Sequence, residues 1–178
     1  LIVGHGDVTD SLVRGTRPSL DGVAGRGLTV QNQGKVTVTR SAFLDNSEVG
    51  VVAALGGVLV MTDSTVESTR VDASGKYGIG LLLGEDAMAD VDGCTLASSA
   101  AIGLAVSGAG ASVRRSTISR NVVGVHVQDG TSIVEGEGAG DKRLLALSSD
   151  NRFVENRTRL GSGTVPLPKV LTPASLPR

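Results

Sequence analysis

The chain has 178 residues and a formal net charge of −1, with 25 Gly, one Tyr, two Phe and no Trp, so its core must be built from Val, Leu, Ile and Ala. That length fits one domain able to bury a core, the near-neutral charge argues against a general nucleic-acid binder, and the absence of a run of about 18 apolar residues excludes a helical membrane span. The single cysteine, Cys94, cannot close an internal disulfide and stands in no CxxC, which excludes the usual zinc pattern.

In chain order, the opening "LIVGHGDVTD" lacks Met and a charged n-region and reads as the interior of a longer protein. Six related units follow, each built on a large apolar anchor: Val13, Phe43, Val66, Leu96, Ile118 and Phe153. Two residues before the anchors stand Ser11, Ser41, Ser64, Cys94, Ser116 and Asn151. Five before stand Val8, Val38, Met61, Val91, Val113 and Ser148, and seven before stand Gly6, Val36, Leu59, Ala89, Ala111 and Ala146. Three after stand Thr16, Asn46, Thr69, Ser99, Asn121 and Asn156. A Gly then opens an apolar alternation: "GLTVQ" at 27, "GVVAA" at 50, "GLLLG" at 80, "GLAVS" at 103 and "GVHVQ" at 124. The alternation is a strand signature and predicts Leu28/Val30, Val51/Ala53, Leu81/Leu83, Leu104/Val106 and Val125/Val127 as inward pairs.

Successive anchors lie 30, 23, 30, 22 and 35 residues apart, which gives a base unit of about 22 residues with insertions in three coils. No stretch of the unit carries a helix-period stripe. Short alternating runs split by Gly, Asn, Asp and Ser predict two or three strands per circuit. The chain is therefore expected to be all-β, a solenoid of about six coils.

The motifs "TRSAFLDNSEVGVVA", "TDSTVEST", "DGCTLASSAAIGLAV", "RRSTISRNVVGVHV" and "DNRFVENRTRLG" resemble the right-handed parallel β-helix of the pectin-lyase-like superfamily over residues 6–160. The resemblance implies the right-handed fold. It leaves function open, because that superfamily includes lyases, hydrolases, epimerases, tailspikes and adhesins.

Stacked coils turn each column into a ladder. The Ser/Cys/Asn column is expected in a tight corner, bonding turn backbone. The Asn46, Thr69, Ser99, Asn121 and Asn156 column is expected as a second, structural ladder at another bend. Residues 1–163 form the β-helix domain in this reading. The tail 164–178 holds four prolines and reads as a cap extended along the last coil or a linker to further domains of the polypeptide. "EGEGAGDKRLL" at 135–145 reads as a solvated loop.

Two sets of residues suggest chemistry. Asp90 and Asp92 lie two apart on one strand, with Glu85 and Asp86 in the turn before and Asp63 in the preceding coil. Oxygen-rich groups of this kind bind Ca²⁺, and outward carboxylates on such a face resemble the calcium sites of pectate lyases. Arg40 and Arg115 share a column, with Arg114 and Arg120 near them, and are candidate ligand-binding residues. "GHG" at 4–6 looks like a polygalacturonase tripeptide, but no Asp-Asp pair accompanies it. His126 reads as a surface residue, and Thr65, Thr95 and Thr117 form a short outward column. The expected function is a non-catalytic structural or adhesive rod of a secreted or cell-surface protein, facing a glycan or protein partner and needing no cofactor. The alternative is a fragment of a carbohydrate-active enzyme, either a calcium-dependent uronate lyase or a glycoside hydrolase. A paired-carboxylate set would mark the hydrolase.

Overall fold

The structure, a computed structural model, describes residues 2–18, 25–136 and 141–169. Among them there is no helix, and the strands form three parallel sheets. The first sheet stacks β1 (His5–Thr9), β4 (Lys35–Thr39), β7 (Val58–Thr62), β10 (Met88–Asp92), β13 (Gly110–Arg114) and β17 (Leu144–Leu147), and ends on β16 (Ser132–Glu135). The second stacks β2 (Leu12–Arg14), β5 (Ala42–Leu44), β8 (Thr65–Glu67), β11 (Thr95–Ala97), β14 (Thr117–Ser119) and β18 (Arg152–Val154). The third stacks β3 (Leu28–Val30), β6 (Val49–Ala53), β9 (Ile79–Gly84), β12 (Ile102–Ser107), β15 (Val123–Gln128) and β19 (Thr158–Ser162). Parallel neighbours need a long crossover. Here the other two sheets supply it, and each circuit of the chain makes one coil.

The anchors Val13, Phe43, Val66, Leu96, Ile118 and Phe153 form one continuous row in the second sheet. In the first sheet the rows Gly6–Val36–Leu59–Ala89–Ala111 and Val8–Val38–Met61–Val91–Val113 run as expected. The last coil departs from the expectation. Leu145 and Leu147 continue these rows, where column counting places Ala146 and Ser148. The corner between Leu147 and Asn151 is one residue longer than that between Val113 and Ser116. A slip of one residue reverses which side chains face the core, so burial of the two leucines decides the register.

Residues 135–145 are likewise not a loop throughout, because Leu144 and Leu145 belong to β17; residues 137–140 lie outside the described residues. The chain lays down β16 first and then inserts β17 between β13 and β16.

The inward rows of all three sheets merge into one core that includes Phe43, Leu59, Met61, Leu81, Leu83, Leu96, Leu104 and Ile118. The predicted inward pairs of the third sheet are all in it. Thin aliphatic side chains suffice because three sheets meet across a narrow interior.

The two tight corners carry the two ladders. At the first, one left-handed residue turns the chain: Asp10, Arg40, Asp63, Gly93 and Arg115, with φ between +46° and +64°. The next residue supplies the ladder. Ser41 Oγ accepts from the Ser11 N–H at 3.1 Å, Ser64 Oγ from Ser41 N–H at 3.0 Å, and Ser116 Oγ from Cys94 N–H at 3.1 Å. Each hydroxyl also donates to a carbonyl two residues back, as Ser116 Oγ does to Arg114 O at 2.7 Å. Cys94 takes its place in the row with its sulfur 3.3 Å from Asp92 O. Burial pushes its thiol pKa up to about 11, so it is a protonated structural thiol at neutral pH.

At the second corner the left-handed residues are Gly15, Asp45, Ser68, Ser98, Arg120 and Glu155, each one position before the Asn column. The Asn side chains are therefore free to bond along the stack. Asn156 Oδ1 accepts from Asn121 N–H at 3.0 Å, and Asn156 Nδ2 donates to Ile118 O at 2.7 Å. Opposite this ladder runs a glycine column, Gly27, Gly50, Gly80, Gly103 and Gly124. A Cβ on Gly103 would lie 2.7 Å from Asn121 Nδ2 and 2.8 Å from Gly124 O. The Gly that opens each alternation is there because the ladder and the next coil leave no room for a side chain.

Apart from its last strand, β19, the third sheet is buried on both faces. Its outer row reads Thr29–Val52–Leu82–Ala105–His126. Residues 163–169 do not cap the last coil. They run back across this outer face, packing Val165 and Leu167 on a second apolar cluster that holds Val49, Val52, Ile79, Leu82, Ile102 and Ala105. Three bonds fix this strap. His126 Nε2 meets Gly163 O at 2.9 Å, Val165 N–H donates to Gln128 Oε1 at 3.0 Å, and the Arg26 guanidinium donates to Lys169 O. Under its far end lies a buried ion pair, Arg26 Nε to Glu48 Oε2 at 2.5 Å. His126 is thus on the outer face but 5% exposed, not a surface residue. Residues 170–178 of the tail lie outside the described residues.

Candidate functional site

The outer edge of the first sheet meets the first corner in a band of charge. Asp92 occupies the row Thr9–Thr39–Thr62–Asp92–Arg114, and Asp90 the row Asp7–Thr37–Val60–Asp90–Ser112. The column Asp10–Arg40–Asp63–Gly93–Arg115 runs beside them at the turn. Coils repeat about 4.8 Å apart, so a guanidinium reaches a carboxylate one coil away.

Arg115 binds Asp92 through two bonds, Nε to Oδ1 at 2.8 Å and Nη2 to Oδ2 at 2.7 Å. Arg40 holds Asp10 in the same fork, at 2.8 and 2.7 Å. Arg114 Nη2 lies 3.0 Å from Asp90 Oδ1 and 3.5 Å from Asp92 Oδ2. The backbone N–H of Arg115 donates to Asp150 Oδ1 at 2.9 Å. Asp63 stands between the two forks, its carboxylate above Gly93, where a Cβ would come within 2.5 Å of Oδ1. The Arg115 fork holds the Asp92 carboxyl below the usual carboxylate range, and the Arg40 fork does the same to Asp10. Beside the band, on the outer face of the sheet, lies a shallow groove of about 240 Å³ with Val58, Val60 and Met88 on its floor and Asp90, Ser112 and Arg114 on its rim.

The acidic and basic candidates are therefore one system: Asp90 and Asp92 are bonded by Arg114 and Arg115. A cation at these carboxylates would have to displace two guanidinium groups. Glu85 and Asp86 are elsewhere. They occupy the turn before β10, five and four residues from Asp90 and so about 13 Å or more away along the strand. There, at a third corner where each coil passes from the third sheet to the first, they line a broad groove of about 740 Å³ with Asp129, Arg143 and Gln33. Ser107 Oγ bonds the Asp129 carboxylate and lowers its pKa. Among the described residues no group of three or more His, Cys, Asp and Glu is placed to hold a metal ion. Of the other residues singled out, Arg120 pairs with Glu67 at 3.5 Å, His5 is exposed in the first coil, and Thr65–Thr95–Thr117 is a real row bounded by Ala42 and Arg152.

The five ladder residues Asn46, Thr69, Ser99, Asn121 and Asn156 all lie inside the second corner rather than at a surface site. The Arg–Asp forks were open to sequence reasoning. Adding one coil to Gly93 arrives at Arg115, next to Asp92 in the stack.

A family model described as "Right handed beta helix region" matches residues 26–163. The chain belongs to the right-handed β-helix family. The match covers five of the six anchors and the charged band from Arg40 onward, leaving Asp10 outside it. Comparison with curated proteins and with solved structures gives no significant match.

Proposed function

We propose that this β-helix is a stiff, non-catalytic segment of a secreted or surface protein, whose first-sheet face contacts a glycan or protein partner. The observation that carries this reading is the set of cross-coil forks at Asp10–Arg40 and Asp92–Arg115. A lyase needs carboxylates free to hold calcium, and a hydrolase needs a carboxyl that stays protonated near neutral pH. Asp92 is engaged by two arginines and its pKa moves the wrong way for a general acid. The groove beside it offers an apolar floor with a charged rim, the composition of a contact surface. The chain has no Trp and its one Tyr lies outside this groove, so stacking on sugar rings is not its mode of contact.

A second reading, glycoside hydrolase, is favoured by the third-corner groove, where Glu85, Asp86 and Asp129 line one open cleft and Asp129, its pKa lowered by Ser107, suits the ionised nucleophile or base rather than the acid. One assay separates the two. The protein is incubated with pectic, alginate and neutral glycans, with calcium and with chelator, while unsaturated product and reducing ends are followed. The scaffold reading expects neither signal. New reducing ends lost in Asp129→Asn would establish the hydrolase, and calcium-dependent unsaturated product lost in Asp92→Asn would establish the lyase.

A further inference from the structure

Between the strap and the third sheet's outer face lies a cleft of about 320 Å³, inside the size range of small-ligand sites. Its walls are Ile79, Ile102 and Val123 of the sheet, Val165 and Pro166 of the strap, and Tyr77. Tyr77 is presented by an inserted hairpin that closes through an antiparallel bridge of Val71 with Tyr77. The Asp72 carboxylate ties the hairpin, accepting from Ser74 N–H at 2.9 Å, Ser74 Oγ at 2.8 Å and Lys76 N–H at 2.9 Å. Tyr77 has φ of +69°, a left-handed conformation that a bulky aromatic adopts only when its surroundings enforce it. In a chain with one tyrosine, an insertion holds that tyrosine in an unfavourable conformation at the mouth of an apolar cleft.

Polar groups at the cleft are few. Lys76 supplies an ammonium, which also attracts the Asp72 carboxylate of its own hairpin; among the described residues no carboxylate lines the cleft itself, and His126 Nε2 is already engaged by Gly163 O. An apolar floor with one cation at the rim complements a ligand that is apolar at one end and anionic at the other.

We propose that this cleft binds a small carboxylate bearing an apolar ring, with the ring between Tyr77, Ile102 and Val123 and the carboxylate on the Lys76 ammonium. The site lies on a different sheet from the charged band, and the proposal does not depend on the scaffold reading.

The lack of Trp makes Tyr77 the only strong intrinsic fluorophore, so its emission reports this one site. Three probes that do not absorb at the excitation wavelength share one ring and differ in charge: cyclohexanecarboxylate, cyclohexanecarboxamide and cyclohexylamine. Titration is expected to give a saturable change, with the carboxylate about tenfold tighter than the amide and the amine weakest. Lys76→Gln, on an exposed loop, is expected to bring the carboxylate down to the amide and leave the amide unchanged. The proposal is overturned by no saturable change with any probe up to its solubility, by equal affinities for all three, or by a carboxylate preference that survives Lys76→Gln. Glycan turnover is not read by this titration, so either idea can fail alone.

Discussion

At the first corner Ser11, Ser41, Ser64, Cys94, Ser116 and Asn151 make an unbroken row of bonds from coil to coil, whereas the row at the second corner breaks in its middle. Asn46 bonds to Thr16 at 3.0 Å, and Asn121 links Ser99 to Asn156, but the hydroxyls of Thr69 and Ser99 are buried without a hydrogen-bond partner. The difference is one of reach. In the first corner the ladder atom needs only to meet the N–H directly below and a carbonyl two residues back, which a serine spans. In the second, the partners are an N–H and a carbonyl three residues apart in the preceding coil, as Ser99 N–H and Leu96 O are for Asn121; an amide is long enough to meet both, and a hydroxyl is not. The stack tolerates the gap because the adjoining Gly50 and Gly80 let the coils close over it.

Four substitutions break or sharpen this contrast, in falling order of effect. Gly50→Ala strikes the packing that lets the second corner close: its Cβ would lie 2.3 Å from Val66 Cγ1 and 2.7 Å from Gly80 O. It should cost about 3 kcal/mol, read as a lower denaturant midpoint. At the first corner, the buried Cys94 thiol has its pKa raised from 9.0 to about 11. Its stabilising preference for the neutral form is fully present below pH 9.0 and lost as pH rises through about 11. Wild-type protein should therefore lose roughly 2–3 kcal/mol more than Cys94→Ser over that interval. Denaturation of both proteins at pH 8 and pH 11 checks this, and identical losses would contradict it. Ser116→Ala leaves the Cys94 N–H buried without its acceptor and should cost about 2 kcal/mol with an unchanged denaturant slope. Ser99→Ala removes a hydroxyl that bonds to nothing, so its midpoint should stay within about 0.5 kcal/mol of wild type.

The coil was legible in the sequence because each of its requirements recurs. A corner that needs a small polar group needs it in every circuit, so Ser41, Ser64 and Ser116 declare themselves by spacing. The last coil escaped because its register turns on a single extra residue, which only burial of Leu145 and Leu147 resolves. Glu85 and Asp86 stand close to Asp90 in sequence, yet a left-handed pair at their own positions turns them to another corner. The strap has no counterpart in earlier coils, so no column points to it. Its trace was the run of apolar residues at "GVVAA" and "GLLLG". Such a run, rather than a clean alternation, marks a strand covered on both faces.

The strap also changes how the stack can come apart. Where each coil touches only its neighbours, a solenoid can unravel one coil at a time from either end, because stability is a sum of local terms. Here the Arg26–Lys169 bond joins residues 143 positions apart. The chain that leaves the last coil is tied back beside β3, so an end coil cannot peel away without lifting a segment that lies across the others. The prolines that keep residues 164–169 extended make this tether short, and a short tether turns a zipper into a clasp: fraying at one end is felt at the other.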